Sequence, residues 1–323
     1  MQVKPWLKST ALGLIYWSGI VWADEPQGLV DYQPVSGIAG SLLSVGSDTL
    51  AGMTTLWADA FNDMYPNVNA QVQASGSSTA PPALTEETAQ FGAMSRPMRL
   101  RELEAFERIH GYQPTKLRIA IDAVGVFVHR DNPIVGLNLT QLDQIFSVTL
   151  RCGASQGIER WSDLGLDFSW AQRRIQLFGR NSVSGTYGYF KQAALCGGDF
   201  KAHVNQQPGS ASVVQSVASS INSLGYSGVG YRVSGVRIIP IAREGEDYVY
   251  PTQQAILSGQ YPLSRYLYLY INKHPERPLK PLEREFIRFI YSHQGQALVS
   301  KEGFLPISAD IAQQELAGLG IRP

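Results

Sequence analysis

The stretch RNSVSGTYGYF, Arg180 to Phe190, lies between the strand-like run RRIQLFGR and the helical run TYGYFKQAAL, in which Tyr187, Phe190 and Ala194 share one face. This is a strand–turn–helix unit. Its turn carries one arginine, two serines, a glycine and a threonine, and little bulk. A helix start leaves backbone N–H groups unpaired and carries a partial positive charge. Small residues let a ligand approach that backbone closely, and hydroxyls add donors beside it. Such a place suits an anion, above all a tetrahedral oxyanion. Arg180, four residues before Ser184, reaches the same point and offers a planar fork of donors.

Two further turns have the same character. Gly46-Ser47-Asp48-Thr49 opens one helix and Gly76-Ser77-Ser78-Thr79 opens another. Taken singly, each is ordinary capping by Ser, Thr or Asp; the arginine beside the third shifts the weight toward a ligand. The turns recur because the first part of the chain repeats one pattern three times. SLLSVGSDT, VNAQVQASGSS and QFGAMSRPM each read as a strand ending in a polar turn. The helix that starts at Leu50 shows apolar spacing through Met53, Trp57, Ala60, Phe61 and Met64. In TAPPALTEETA the prolines sit where the first turn of a helix tolerates them. This βα alternation predicts an open α/β sheet with its ligand beyond the carboxyl ends of the strands.

Two long strand-like runs, LRIAIDAVGVFVHR and YPLSRYLYLYINK, bracket the central block that holds Arg180. They predict a second lobe inserted into the first, with two chain crossings as hinges. The expected division is residues 24–122 with 263–323 in lobe I and residues 123–262 in lobe II. PLEREFIRFIYS, amphipathic through Leu282, Phe286, Phe289 and Ile290, returns the chain to lobe I.

At 323 residues and 44% hydrophobic composition the chain can bury a core of this size. Its first 23 residues read as a secretory signal peptide: Lys4 and Lys8, an apolar stretch from Ala11 to Ile20, then Val21-Trp22-Ala23. The apolar run is shorter than the ~20 residues needed to span a bilayer. An exported, soluble mature protein is expected. Formal net charge is +0, and loss of Lys4 and Lys8 leaves the mature chain slightly acidic. No basic face marks a nucleic-acid partner, and an anionic ligand would have to be held by local donors. Cys152 and Cys196 are the only cysteines and, in an oxidising compartment, are expected to pair. The five histidines show no metal-ligand spacing, so neither a metal nor another cofactor is expected. A nucleophile elbow and a P-loop are both missing, which disfavours a secreted phosphatase.

These motifs, in this order, resemble those of the periplasmic phosphate-binding proteins that feed the high-affinity ABC phosphate importer. R-x-x-x-S-G-T at Arg180–Thr186 is similar to the family signature. GSDTL, GSSTAPPAL, FGAMSRPM, LTQLDQIFS with RWSDLG, and GQALVSKEGFLPIS fall at the family's other positions. The resemblance covers nearly all of the mature chain. It implies a type II two-lobe α/β fold closing on inorganic phosphate, a membrane permease as partner, a periplasmic location with release outside left open, and a monomer. The ligand contacts it implies are Thr49, Leu50 through its backbone, Ser77, Arg180, Ser184, Gly185 and Thr186. One position departs. Enteric members carry an aspartate that accepts the phosphate proton where this chain has Ser95, followed by Arg96. Either Asp48 takes over as acceptor, or Asp48 only caps its helix and selectivity differs. Many relatives carry the Ser-Arg pair, which makes Arg96 a candidate contact as well. Other tetrahedral oxyanions, and an adhesion or signalling role on the same fold, are the alternatives.

Overall fold

The computed structural model describes residues 28–322 apart from Arg232, so the expected signal peptide lies outside the described residues. The chain first lays down β1 (Gly40–Gly46), α1 (Ala51–Met64), β2 (Val68–Gln73), α2 (Ala80–Thr85), β3 (Phe91–Met94) and α3 (Leu100–His110). It then runs through β4 (Thr115–His129), whose fifteen residues leave the first lobe and enter the second. There follow β5 (Leu137–Asn138), α4 (Leu139–Phe146), β6 (Gln176–Arg180), α5 (Gly185–Ala194), β7 (Asn205–Gln207), α6 (Ser210–Ala218), β8 (Ser223–Gly228), β9 (Val236–Ile239), β10 (Ile241–Ala242) and α7 (Gln253–Leu257). The return is β11 (Ser264–Ile271), α8 (Pro281–Ile290), α9 (His293–Lys301) and α10 (Ala309–Gly318). Of these, α3, β5, β7, α7, α9 and α10 lie outside the elements read from the sequence. β9 and β10 are separated at Pro240, which has no N–H to give a ladder.

Two sheets share β4. In the first lobe the order is β2-β1-β3-β11-β4, with β1 parallel to β2 and β3 and with β11 antiparallel to β3 and β4. In the second, β8, β6 and β7 continue from β4, with β6 parallel to both its neighbours. The ladder changes hands within β4: its residues up to Ala123 pair with β11, and Val124–Val128 pair with β8. The burial pattern follows. The first half of β4 alternates, while Ala123 to Val128 is buried on both faces under helices of the second lobe.

Each lobe has its own core. In the first, Met53, Trp57 and Phe61 of α1 are buried as their spacing predicts, and Trp57 donates its indole N–H to the Gly295 carbonyl at 2.8 Å. Phe61 packs edge-on against Phe286 of α8, with ring centroids 5.1 Å apart. In the second, Phe190 of α5 stacks on Tyr226 of β8 at 3.9 Å. Ile121, on β4, packs against both clusters. Among the described residues no helix is long and apolar enough to cross a membrane.

Cys152 and Cys196 are joined, with Cα atoms 5.4 Å apart, and close a loop of 44 residues. The bond ties the end of α5 to the loop after α4. A cross-link over such a loop removes unfolded-state entropy worth about 2–4 kcal/mol. Replacing both cysteines by serine should therefore lower unfolding stability by about that amount, read as a fall in the urea midpoint, with a steeper slope as the unlinked unfolded chain exposes more surface.

Candidate functional site

The parallel strands deliver three turns to one place. β1 ends at Gly46, β3 ends at Met94 just before Ser95, and β6 ends at Arg180. Gly46 has φ +148°, and a Cβ there would lie 2.0 Å from the Ala93 carbonyl oxygen, so only glycine lets the first and third turns touch. Ser47 N–H donates to that same carbonyl at 2.8 Å, and Gly76 N–H donates to the Gly46 carbonyl at 2.7 Å. The three turns of the first lobe are thereby locked into one surface.

The second lobe closes on this surface. Thr49 and Thr186 hydroxyls meet at 3.1 Å, and Ser78 N–H donates to the Val183 carbonyl at 3.1 Å. Gly185 faces Ser77 and Ser95 so closely that a Cβ would lie 2.2 and 2.3 Å from their hydroxyl oxygens. Thr49, Leu50, Ser77, Ser95, Arg180, Ser184 and Thr186 are all buried. These residues, with Gly185 and Asp48, form one inter-lobe cluster, and sequence positions 49 and 186 become neighbours.

The hydroxyls form a directed network. Ser47 Oγ donates to Ser95 Oγ at 3.0 Å, and Ser95 N–H donates to Ser77 Oγ at 3.0 Å. Ser184 Oγ caps α5 by accepting the Thr186 N–H at 3.1 Å. A hydroxyl that already accepts from behind keeps its single proton for another partner. The Ser77 and Ser95 hydroxyls also lie 3.3 Å apart, so one of them donates to the other; the second of that pair and Ser184 keep a proton to give, and donors are what an oxyanion needs.

Arg180 is 1% exposed. One terminal nitrogen donates to Ser210 Oγ at 2.8 Å; the other donates to the Pro208 carbonyl at 2.9 Å and to Asp48 Oδ2 at 2.5 Å. That last bond bridges the lobes. Asp48 makes no capping bond; its Oδ2 is on Arg180, while Oδ1 is buried without a hydrogen-bond partner, as is Arg180 Nε. A donor and an acceptor thus stand open in one cleft.

Arg96 is the exception among the expected contacts. Its terminal nitrogens donate to both oxygens of Glu102 at 2.7 and 2.8 Å, and also to Ser78 Oγ and the Pro97 carbonyl. The reason is local: α3 opens directly after its N-cap Arg99, and the carboxylate of Glu102, three residues beyond Arg99, accepts the Arg99 N–H and grips Arg96 in a two-pronged pair. Arg96 braces the turn through these bonds, while its Nε is buried without a hydrogen-bond partner. Leu50 offers its N–H to the Ser47 carbonyl at 3.2 Å, a bond of its own one-turn helix. Beside the Ser78–Val183 contact lies a groove lined by Arg99, Arg101 and Lys191, which supplies local positive charge that the neutral chain lacks overall.

Three contributors were not picked out from the sequence: Ser47, Ser210 and the buried pair Asp122–Arg265. For the pair a signal existed. A single aspartate inside IAIDAVGVFV and a single arginine inside PLSRYLYLY are charges on strands otherwise fit for burial.

A model of a PBP superfamily domain matches residues 33–294. The chain is 54% identical over 294 residues to the phosphate-binding protein PstS of Pseudomonas aeruginosa, covering 91% of each. A putative phosphate ABC transporter substrate-binding protein of Clostridium perfringens, solved with bound phosphate, is 25% identical. It aligns with TM-score 0.68 over 83% of this chain and 100% of that one. An ABC-type phosphate transport receptor of Vibrio cholerae has the same fold, with TM-score 0.66 at 21% identity over 82% of this chain and 100% of that one. The chain belongs to the PBP superfamily and, within it, to the PstS phosphate-binding proteins.

Burial raises the Glu102 carboxyl, but hydrogen bonds from Arg96 and the Arg99 backbone, together with their charges, outweigh it and hold it below the ordinary 4.5. A carboxyl that titrates lower in the folded state adds stability above its unfolded pKa and loses it as pH falls through the folded value. The stability gap between wild type and Glu102→Gln should be widest at neutral pH and should close as acid is added below pH ~4.5, as followed by urea melts. Gly185→Ala should keep the lobes apart. Small-angle scattering of that variant should give a larger radius of gyration than the closed form.

Proposed function

We propose that this chain captures inorganic phosphate between its lobes and delivers it to an ABC-type permease in the membrane. The reading rests on one observation above others: an inter-lobe cluster of buried hydroxyls, a helix start and a buried arginine, with a carboxylate beside it whose second oxygen is unpartnered. Relatives named for phosphate binding, over nearly the whole chain, support it. The protein acts as a solute carrier and not as an enzyme. It works after export, in the periplasm, as a monomer of lobes divided near residues 122/123 and 262/263.

The roles follow from the geometry. Arg180 anchors the anion through Nε and the terminal nitrogen that Asp48 now shares. Ser77, Ser95, Ser184, Thr49, Thr186 and the backbone at Leu50 and Gly185 donate to the remaining oxygens. Asp48 accepts the proton of hydrogen phosphate. Sulfate at neutral pH has no proton to offer, so it sets two negative groups face to face. Binding closes the cleft, and closure removes the anion from water, which strengthens each of these bonds.

Calorimetric titration of ligand-stripped protein with phosphate, alone and with a large excess of sulfate, tests this directly. Binding undisturbed by sulfate is expected; binding abolished by it would assign the cleft to another oxyanion. Arg180→Ala should raise the phosphate Kd by ~100-fold or more, since charge-assisted bonds are lost and Asp48 is left unpaired. Asp48→Asn should narrow the preference for phosphate over sulfate.

A further inference from the structure

Arg265 lies behind the site on β11, directly opposite Asp122 on β4 in the ladder where the chain crosses between lobes. The two side chains are 2% and 1% exposed. Arg265 Nε and one terminal nitrogen donate to Asp122 Oδ2 at 3.0 and 2.7 Å. This grip fixes the plane of the guanidinium, and the remaining donors fan out to both lobes. One reaches the Ser95 carbonyl at 2.9 Å, and another reaches Thr186 Oγ1 at 3.1 Å. The ring of Tyr189, one helical turn beyond Thr186 on α5, covers the guanidinium at 5.3 Å, and its hydroxyl donates to the Ser264 carbonyl at 2.7 Å. A pair that served only to stabilise the strand crossing would have no need of contacts to the anion-facing turns of each lobe.

The bond to Thr186 has a chemical consequence. A threonine hydroxyl has one proton and two acceptor positions. An arginine has no acceptor, so the Thr186 oxygen must accept from it and the hydroxyl proton must point elsewhere. In this structure the remaining hydroxyl neighbour is Thr49, across the cleft. Resting on the phosphate reading above, we propose that Arg265 is a positioning residue that sets the polarity of the site. Held by Asp122, it forces Thr186 to act as a donor toward the bound anion, and it holds the Ser95 turn in place through its carbonyl. Asp48 then remains the acceptor for one ligand proton, and Thr186, with one acceptor position filled by Arg265 and its own proton turned toward the anion, is a poorer acceptor for a second. The hinge crossing thereby contributes to discrimination between singly and doubly protonated phosphate.

The test is a double-mutant cycle on phosphate affinity with Arg265→Met and Thr186→Val. Removing one member of a buried pair strands the other charge and can prevent folding, so Arg265→Met is made together with Asp122→Leu, which replaces the pair by apolar side chains. Wild-type binding of phosphate establishes the underlying reading; wild-type protein that binds none overturns that reading and this inference with it. Given wild-type binding, the paired replacement should weaken it about tenfold or more, and the loss should shrink in the Thr186→Val background. Losses that simply add would overturn the proposal, leaving Arg265 a structural residue. A second readout is the ratio of affinities below and above the second ionisation of phosphate. With Thr186 freed to accept, the paired variant should shift toward the more protonated anion; an unchanged ratio also counts against the proposal.

Discussion

Closing this cleft takes a crowd of polar groups out of water, and every one of them then needs a partner. Burying an unpaired hydroxyl or amide costs a few kcal/mol, and an unpaired charge costs more. That constraint organises the molecule. It explains why Arg180 is held by Ser210, Pro208 and Asp48, why Ser47 stands behind Ser95, and why Arg265 stands behind Thr186. The groups nearest the centre are supported from outside. Those left open, Arg180 Nε and Asp48 Oδ1, mark where a ligand's own donors and acceptors complete the set.

The fold supplies this arrangement cheaply. Parallel strands end together, so β1, β3 and β6 each release their turns toward the same crevice. A single strand, β4, is shared by two sheets, so the lobes are covalently and hydrogen-bonded to one another at the crossing and meet again across the cleft. The ladder changes hands at Asp122, Ala123 and their β11 partners. Two separate cores, one around Trp57 and Phe61 and one around Phe190 and Tyr226, give each lobe its own packed interior.

Charge placement answers a problem that composition raises. A chain of net charge +0 has no long-range field to draw an anion. Positive charge is instead local, on buried Arg180 and on Arg99, Arg101 and Lys191 in the groove beside the Ser78–Val183 contact. Asp48 sets a carboxylate against Arg180, and on the proposed reading that negative group would favour an anion able to donate to it. Arg96, by contrast, is neutralised by Glu102 and spends its charge on the local turn.

Much of this was legible from residue order alone. The apolar spacing of α1 and α8, the polar turns at Gly46, Gly76 and Ser184 and the pairing of the cysteines follow from periodicity, helix-end chemistry and redox setting, all of which act over a few residues or through composition. What residue order left open needed distances between points far apart in the chain. Whether Asp48 caps its helix or faces the ligand depended on Arg180, 132 residues away. Arg96 looked free to bind because Glu102 was not yet known to sit on the next helix in reach of it. Arg265 and Asp122 were single charges on two apolar strands, 143 residues apart, and only strand register made them a pair. Local sequence writes the turns and the helix starts; which donor meets which acceptor is decided when the lobes close, because burial makes every unpaired group costly and so selects among the partners that three-dimensional packing offers.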